Sequence, residues 1–314
     1  MIAFGPIPSR RLGMSLGINN LGSQKTCSYS CVYCQLGETS SKSMCRKTFF
    51  EPKNMLKDVA EHINKLKGEH LPDYLTFVAS GEPTIDINLG KEIHQLKKTG
   101  IPVALITNST LLDMKETRYS LLEADWVSVK VDTVDEAIWR KINRPYIGLD
   151  LNKILEGLSL FAKQYSGKLH TETMLVKGYN DSKESIRNTA SFIAGLNPET
   201  AYLSIPTRPP AVKGVQAVSE DKLTEAWHIY TDLGIDTELL TGFEGMNTGY
   251  TGNAWEDILN ITAVHPLRED TIRELLRKEN AGKQVLKSLI SQGLLRSTLH
   301  EGKMYYVRSY HTGQ

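Results

Sequence analysis

All four cysteines of the 314-residue chain fall within 19 residues, at Cys27, Cys31, Cys34 and Cys45. The first three form a C-x3-C-x2-C run, Cys27-Ser-Tyr-Ser-Cys31-Val-Tyr-Cys34. A disulfide scaffold spreads cysteines through a short secreted chain, whereas thiols gathered in one stretch of a long chain read as a metal site. Three thiolates can ligate three irons of a [4Fe–4S] cluster and leave the fourth iron open to a chelating cofactor. A four-cysteine zinc site is the alternative. Zinc sites usually pair two C-x2-C knuckles, and only one such spacing is present here.

The rest of the chain reads as an ordinary globular protein. Lys+Arg number 37 against 36 Asp+Glu, a net charge of +1, which excludes a polycation and an acidic disordered chain. No apolar run approaches the roughly 18 residues of a membrane span. Met1–Arg11 holds two prolines and two arginines and lacks the apolar stretch of a signal peptide. A cytoplasmic protein is expected.

Periodicity predicts six strands, over 14–20, 74–79, 103–107, 126–131, 170–176 and 202–205. Helices are predicted over 52–66, 89–97, 115–122, 135–141, 152–161, 183–193 and 221–233. Such alternation predicts a parallel sheet of βαβ units, too few for a closed eightfold barrel. The expected fold is therefore α/β, a partial (β/α)6 TIM-like barrel over residues 1–240. Residues 241–252 hold Gly242, Gly245, Gly249 and Gly252 and read as a linker. Helical spacing then recurs over 255–261, 271–278 and 283–291, and two strand patterns, 294–299 and 304–308, flank Glu301-Gly302. Three short helices and a hairpin predict a winged-helix domain over 253–314.

The cysteine run resembles the signature of the radical S-adenosylmethionine (SAM) superfamily, with the aromatic Tyr33 just before the last cysteine. Ser80-Gly81-Glu82-Pro83-Thr84, after the second predicted strand, resembles the family's Gly-Gly-Glu motif, with Ser80 replacing the first glycine. The resemblance covers residues 10–240. It implies a [4Fe–4S] cluster on Cys27, Cys31 and Cys34, and SAM bound by Tyr33, Ser80, Gly81, Glu82 and Pro83. It further implies SAM contacts at Asn108, Lys130, Asp132 and Arg208, all at predicted strand ends. One electron from the cluster would then break the sulfonium bond, and the 5′-deoxyadenosyl radical formed would take hydrogen from a substrate inside an apolar, water-poor barrel. Cys45, Lys177 and Glu244 are catalytic candidates; His265, before Pro266, reads instead as a helix cap.

Within the superfamily, Pro8-Ser9-Arg10-Arg11-Leu12-Gly13, Cys34-Gln35-Leu36-Gly37 and Val176-Lys177-Gly178-Tyr179-Asn180 are similar to a wyosine-synthase-related branch of archaeal and bacterial iron–sulfur oxidoreductases. No cysteine lies beyond Cys45, so a single-cluster enzyme is expected. Family analogy implies flavodoxin or ferredoxin as electron donor. Residues 1–50 carry a side-chain net charge of +5 and residues 281–314 of +4, so two basic ends sit on a nearly neutral chain. They can make a phosphate-tracking face, which points to tRNA as substrate. A protein, a peptide or a small metabolite is the alternative, and a zinc-stabilised, non-catalytic nucleic-acid-binding protein is the competing class.

Overall fold

The computed structural model describes residues 2–22, 24–40, 42–67 and 71–309. Its centre is one eight-stranded sheet whose spatial order follows the chain. Strand β1 (Ala3–Ser9) runs antiparallel to β2 (Gly13–Ile18). Parallel pairing then carries the sheet through β3 (Tyr74–Phe77), β4 (Val103–Thr107), β5 (Trp126–Lys130), β6 (Lys168–Met174), β7 (Thr200–Ser204) and β8 (Thr237–Leu240). Helices α1 (Pro52–Lys65), α2 (Leu89–Leu96), α3 (Lys115–Leu121), α4 (Glu136–Ile142), α5 (Leu151–Gln164), α6 (Lys183–Leu196) and α7 (Glu220–Asp232) connect these strands and cover the outside. The sheet curls into a partial barrel. Several helices start where the sequence offers a cap: Asp135, Asp150, Ser182 and Ser219 each accept a backbone N–H of the first turn.

All six predicted strands are present, together with two that periodicity misses. Gly5, Pro6 and Pro8 hide β1, whose pairing with β2 shifts register between Phe4 and Ile7. β8 is a four-residue edge strand with Glu238 and Leu239 exposed, too short to show alternation.

Strand alternation separates two environments. Leu75, Phe77, Leu105, Val127, Val129 and Leu203 face the helices and join Val59, Ile93, Leu158 and Ile193 in the main core. The opposite face carries Ser15, Thr76, Ser128, Lys130, Glu172 and Ser204. The interior is therefore mixed instead of uniformly apolar, since Ala104, Trp126 and Tyr202 on the same face cluster with Leu12 and Leu240. With only the outer face packed against helices, the inner face is free to carry hydroxyls and charges, and Ser15 Oγ lies 2.7 Å from Thr76 Oγ1 there. Deeper in, His170 stacks between Trp126 and Tyr202 at centroid distances of 4.8 and 5.6 Å.

The C-terminal unit comprises α8 (Ala254–Thr262), β9 (Leu267–Arg268), α9 (Glu269–Lys278), α10 (Gln284–Ser291), β10 (Leu295–His300) and β11 (Lys303–Arg308). The last two form the predicted hairpin, and β9 pairs with β11 to complete an antiparallel sheet in the order β10-β11-β9. Residues 310–314 of the predicted terminal domain lie outside the described residues. Ile258, Ile272, Leu275 and Leu289 form this unit's core, and Phe4 from β1 is buried with them. The glycine-rich segment is also fastened to the barrel. Gly249 N donates to Pro6 O at 2.6 Å, and a Cβ on Gly249 would stand 2.3 Å from the Pro6 ring.

Candidate iron–sulfur and cofactor site

The three thiols lie on the long loop between β2 and α1, beyond the carboxyl end of a sheet strand, where parallel α/β folds keep their chemistry. Each sulfur has a side-chain N–H donor from a different place, and Cys27 Sγ also accepts Tyr29 N at 3.5 Å. Asn108 Nδ2, just past β4, lies 3.5 Å from Cys27 Sγ. Asn143 Nδ2, at the end of α4, lies 3.4 Å from Cys31 Sγ. Lys25 Nζ lies 3.3 Å from Cys34 Sγ and also donates to Gly37 O. Burial, Asp132 and Cys34 push the Cys31 thiol up to about 12, and burial with Cys31 and Glu82 pushes Cys27 up as well. A bound cation reverses this balance, because a coordinating thiol is deprotonated outright.

Among the described residues, no three His, Cys, Asp or Glu side chains gather round one point as a single metal ion requires. Thiols that each bind a different iron of one cluster need not share such a point. Cys45, the fourth ligand that a zinc reading needs, is exposed, and its Sγ lies 3.9 Å from Arg46 O. The donor set of three thiols with N–H support fits an iron–sulfur cluster.

The 80–84 motif is pinned to the cysteine loop. Thr26 N donates to Ser80 O and Glu82 N to Thr26 O, both at 2.9 Å. Gly81 sits between them at φ +144°, and a Cβ there would stand 1.7 Å from Thr26 O. Close approach of the loop backbone thus demands this glycine. Ser80 Oγ donates to Gly22 O at 2.9 Å. Pro83 opens a single 3-10 turn, and Glu82 caps it. The Glu82 carboxylate accepts four bonds: Thr84 N at 3.1 Å, Thr84 Oγ1 and Thr107 Oγ1 at 2.6 Å each, and Asn108 N at 2.7 Å. It ties the ends of β3 and β4 together and sets Asn108 against Cys27. Ser109, next along, is buried with φ +70°, in the left-handed region that a serine seldom adopts.

Lys130 and Asp132 meet at the end of β5. Asp132 accepts from the Tyr33 hydroxyl, from Asn143 Nδ2 at 2.7 Å and from Met174 N at 2.9 Å. Lys130 Nζ donates to Glu172 Oε1 at 3.0 Å and lies 5.1 Å from the centre of the Tyr33 ring. Burial opposes the Lys130 charge, but Glu172 and Asp132 outweigh it and hold its pKa above the usual value. Glu172 also receives Arg11 Nη1 at 2.5 Å and Ser204 Oγ at 2.9 Å. Burial would raise Glu172, yet Lys130 and Arg11 hold it well below the usual carboxylate range.

Arg208, past β7, pairs with Glu244 and donates to Gln35 Oε1 at 2.5 Å. His265 Nε2 meets the same Glu244 carboxylate at 2.8 Å. His265 N donates to Ile261 O at 2.8 Å, so its backbone closes the last turn of α8 while the residue also lines a cavity. Burial pushes its pKa down, whereas His265 and Arg208 hold Glu244 low against burial. Lys177 is exposed on the turn after β6, outside the walls of that cavity. Sequence reasoning missed Arg11, Gln35, Asn143 and Glu172 as site residues. The signals were a lone carboxylate inside a buried strand, Glu172, and the motifs around Arg11 and Gln35, which carried a resemblance but no assigned role.

Residues 22–193, more than half of the chain, match the family model described as the Radical SAM superfamily. The chain is 46% identical over 310 residues to the UPF0026 protein MJ1312 of Methanocaldococcus jannaschii, covering 98% of this chain and 96% of that one. Its fold is similar to TYW1 with a lysine-pyruvate adduct bound, at 17% identity and a TM-score of 0.55, covering 71% of this chain and 75% of that one. Streptococcus suis SuiB bound to S-adenosylmethionine gives 12% identity and a TM-score of 0.53, covering 70% of this chain and 49% of that one. At such identities the two structures speak for the fold alone, the partial barrel with its loops at the strand ends. The match over residues 22–193 adds the sequence to that fold, and by it the chain belongs to the radical SAM superfamily.

Proposed function

We propose that the protein is a radical SAM enzyme that binds a [4Fe–4S] cluster on Cys27, Cys31 and Cys34 and acts on tRNA. The observation that carries the reading is the set of three thiols, each met by its own N–H donor: Asn108, Asn143 and Lys25. When bound, the cluster supplies the single electron that cleaves SAM reductively to methionine and a 5′-deoxyadenosyl radical. The chain's own part is to bind, orient and exclude. Glu82 fixes Asn108, and Asp132 fixes Tyr33 and Asn143, so the sulfur donors are locked by second partners. Tyr33, the Ser80-Gly81-Glu82-Pro83 turn, Asn108, Lys130, Asp132 and Arg208 are the residues we assign to SAM. Flavodoxin or ferredoxin is the expected electron donor. Among the described residues no helix is long and apolar enough to cross a membrane.

Support for tRNA comes from the two basic ends. The Arg296 guanidinium on β10 reaches to 4.0 Å from where a Cβ on Gly37 would stand, so the ends of the chain meet beside the cysteine loop. The order helix, strand, two helices and hairpin over residues 254–308 supports a winged helix as the terminal domain.

The test is anaerobic reconstitution with iron and sulfide, then assay of 5′-deoxyadenosine from SAM and dithionite, with Cys27→Ala, Cys31→Ala and Cys34→Ala as controls. Product in the wild type and none in the three variants is expected. A colourless protein that retains zinc would overturn the enzyme reading. Failure of tRNA to shift in a gel at low salt would overturn the RNA reading.

A further inference from the structure

A cavity of about 120 Å³ lies between the inner face of β2–β4, the β1–β2 turn and the C-terminal unit. That is near the roughly 150 Å³ that admits a benzene ring, so it has room for one phosphate or carboxylate and a little of the body attached to it. Its charged walls are Arg10, Arg11, Arg208 and Glu244, with His265 beside them. Gln35, the residue after Cys34, is also in the wall, so an occupant lies against the cysteine loop.

The charges do not balance. Arg11, Lys130 and Arg208 each have a carboxylate partner, supplied by Glu172, Asp132 and Glu244. The cavity wall itself thus holds three guanidiniums, Arg10, Arg11 and Arg208, against one carboxylate, Glu244, with Glu172 behind Arg11. Among the described residues Arg10 forms no ion pair. Its Nη1 donates to two carbonyl oxygens, Leu240 O at 2.7 Å and Gly242 O at 3.1 Å. A half-buried guanidinium without a counter-ion is costly. Burial and the charge of Arg208 lower its pKa, against the opposing pull of Glu244 and Glu172, neither of which pairs with it directly. Arg208 and His265 already hold one carboxylate in the same wall, that of Glu244.

We infer that this cavity is the substrate pocket and that it grips the substrate by an oxyanion, a phosphate or a carboxylate, through the Arg10 guanidinium. The word substrate rests on the radical SAM reading; the oxyanion rests on the cavity alone. The planar fork of Arg10 suits two oxygens of one such group. A phosphate can belong to a free metabolite or to a nucleotide of an RNA, and the chemistry at Arg10 is the same.

The test is calorimetric titration of the reconstituted full chain with inorganic phosphate and with acetate, for wild type, Arg10→Gln and Arg10→Lys, with thermal melts to establish folding. The expected result is about a tenfold or greater loss of phosphate affinity in Arg10→Gln and a smaller loss, at least about threefold, in Arg10→Lys, which keeps charge but not the fork. Absence of either anion's binding below about 10 mM, or wild-type affinity in either folded variant, overturns the inference. Gel shifts with tRNA separate the two sources. Loss of tRNA binding in Arg10→Gln together with competition by phosphate assigns the group to RNA; unchanged tRNA binding beside lost phosphate binding assigns it to a free metabolite. A chain that binds phosphate through Arg10 yet holds zinc and takes up no iron keeps the site and refutes the reaction, and a chain that forms 5′-deoxyadenosine yet binds neither anion keeps the reaction and refutes the site.

Discussion

Glu172→Gln is the substitution with the most to say about the barrel interior. The native carboxylate has Arg11 at 2.5 Å, Lys130 at 3.0 Å and Ser204 Oγ at 2.9 Å, and it is nearly buried. The amide keeps the shape and deletes the charge. Lys130 is then left with Asp132 at 3.9 Å, and Arg11 with the faces of Trp126 and Tyr202, 5.8 and 5.7 Å away. Removing one member of a buried ion cluster costs about 3–5 kcal/mol, because the partners stay buried and uncompensated. At a urea slope near 3 kcal/mol per molar, the midpoint should fall by about 1–1.7 M. Urea unfolding followed by tryptophan fluorescence measures this, with Trp126 beside the cluster as reporter. The double variant Lys130→Met/Glu172→Gln removes one stranded cation and should recover part of the loss. A Glu172→Gln midpoint within about 0.3 M of wild type would refute the view that this carboxylate neutralises two buried cations.

Three further substitutions test other parts of the structure. Gly81→Ala should cost on the order of 3 kcal/mol and lower iron content after reconstitution, because its Cβ meets Thr26 O at 1.7 Å; unchanged iron by ferrozine assay would contradict this. Burial, reinforced by Arg11 and Lys168, lowers His170 from its ordinary 6.5 to about 4, so the unfolded chain takes up a proton that the folded chain refuses. Stability should then fall as pH drops from about 6.5 toward 4, and His170→Phe, which keeps the ring stack, should shrink that fall in melting temperature by roughly 3–5 °C. Burial and the neighbouring Asp86 raise the Glu92 carboxyl, so the folded protein retains a proton that the unfolded chain loses, and stability drains away as pH rises above the usual carboxylate range. Glu92→Gln should therefore gain about 1–2 kcal/mol at pH 8 and nothing at pH 4, read from urea midpoints at both values.

Local pattern carried much of the architecture. The alternation of strands and helices comes from short-range spacing, and the caps at Asp135, Asp150, Ser182 and Ser219 are visible within four residues. Asn108, Lys130, Asp132 and Arg208 follow strands, and a chain that returns each strand end to the same side of a parallel sheet gathers them. What stayed hidden depends on distance along the chain. Arg11 and Glu172 are 161 residues apart, and Gln35 and Arg208 are 173 apart; no periodicity reports such pairs. Strand-end position also fails to fix orientation, as Lys177 shows by pointing to solvent from the turn after β6. The polar part of the interior escaped for a related reason. Alternation tells which residues share a face, but the helices decide which face is the core.

The side chain of Gln35 joins two parts of the molecule through one amide. Its Nε2 donates to Val264 O at 2.9 Å, while its Oε1 accepts from Arg208. Because Gln35 follows Cys34 directly, the terminal unit is geared to the loop that carries the thiols. One side chain therefore makes the position of the third sulfur's loop depend on both the stretch after α8 and the end of β7, so a change on either side is felt one residue from Cys34.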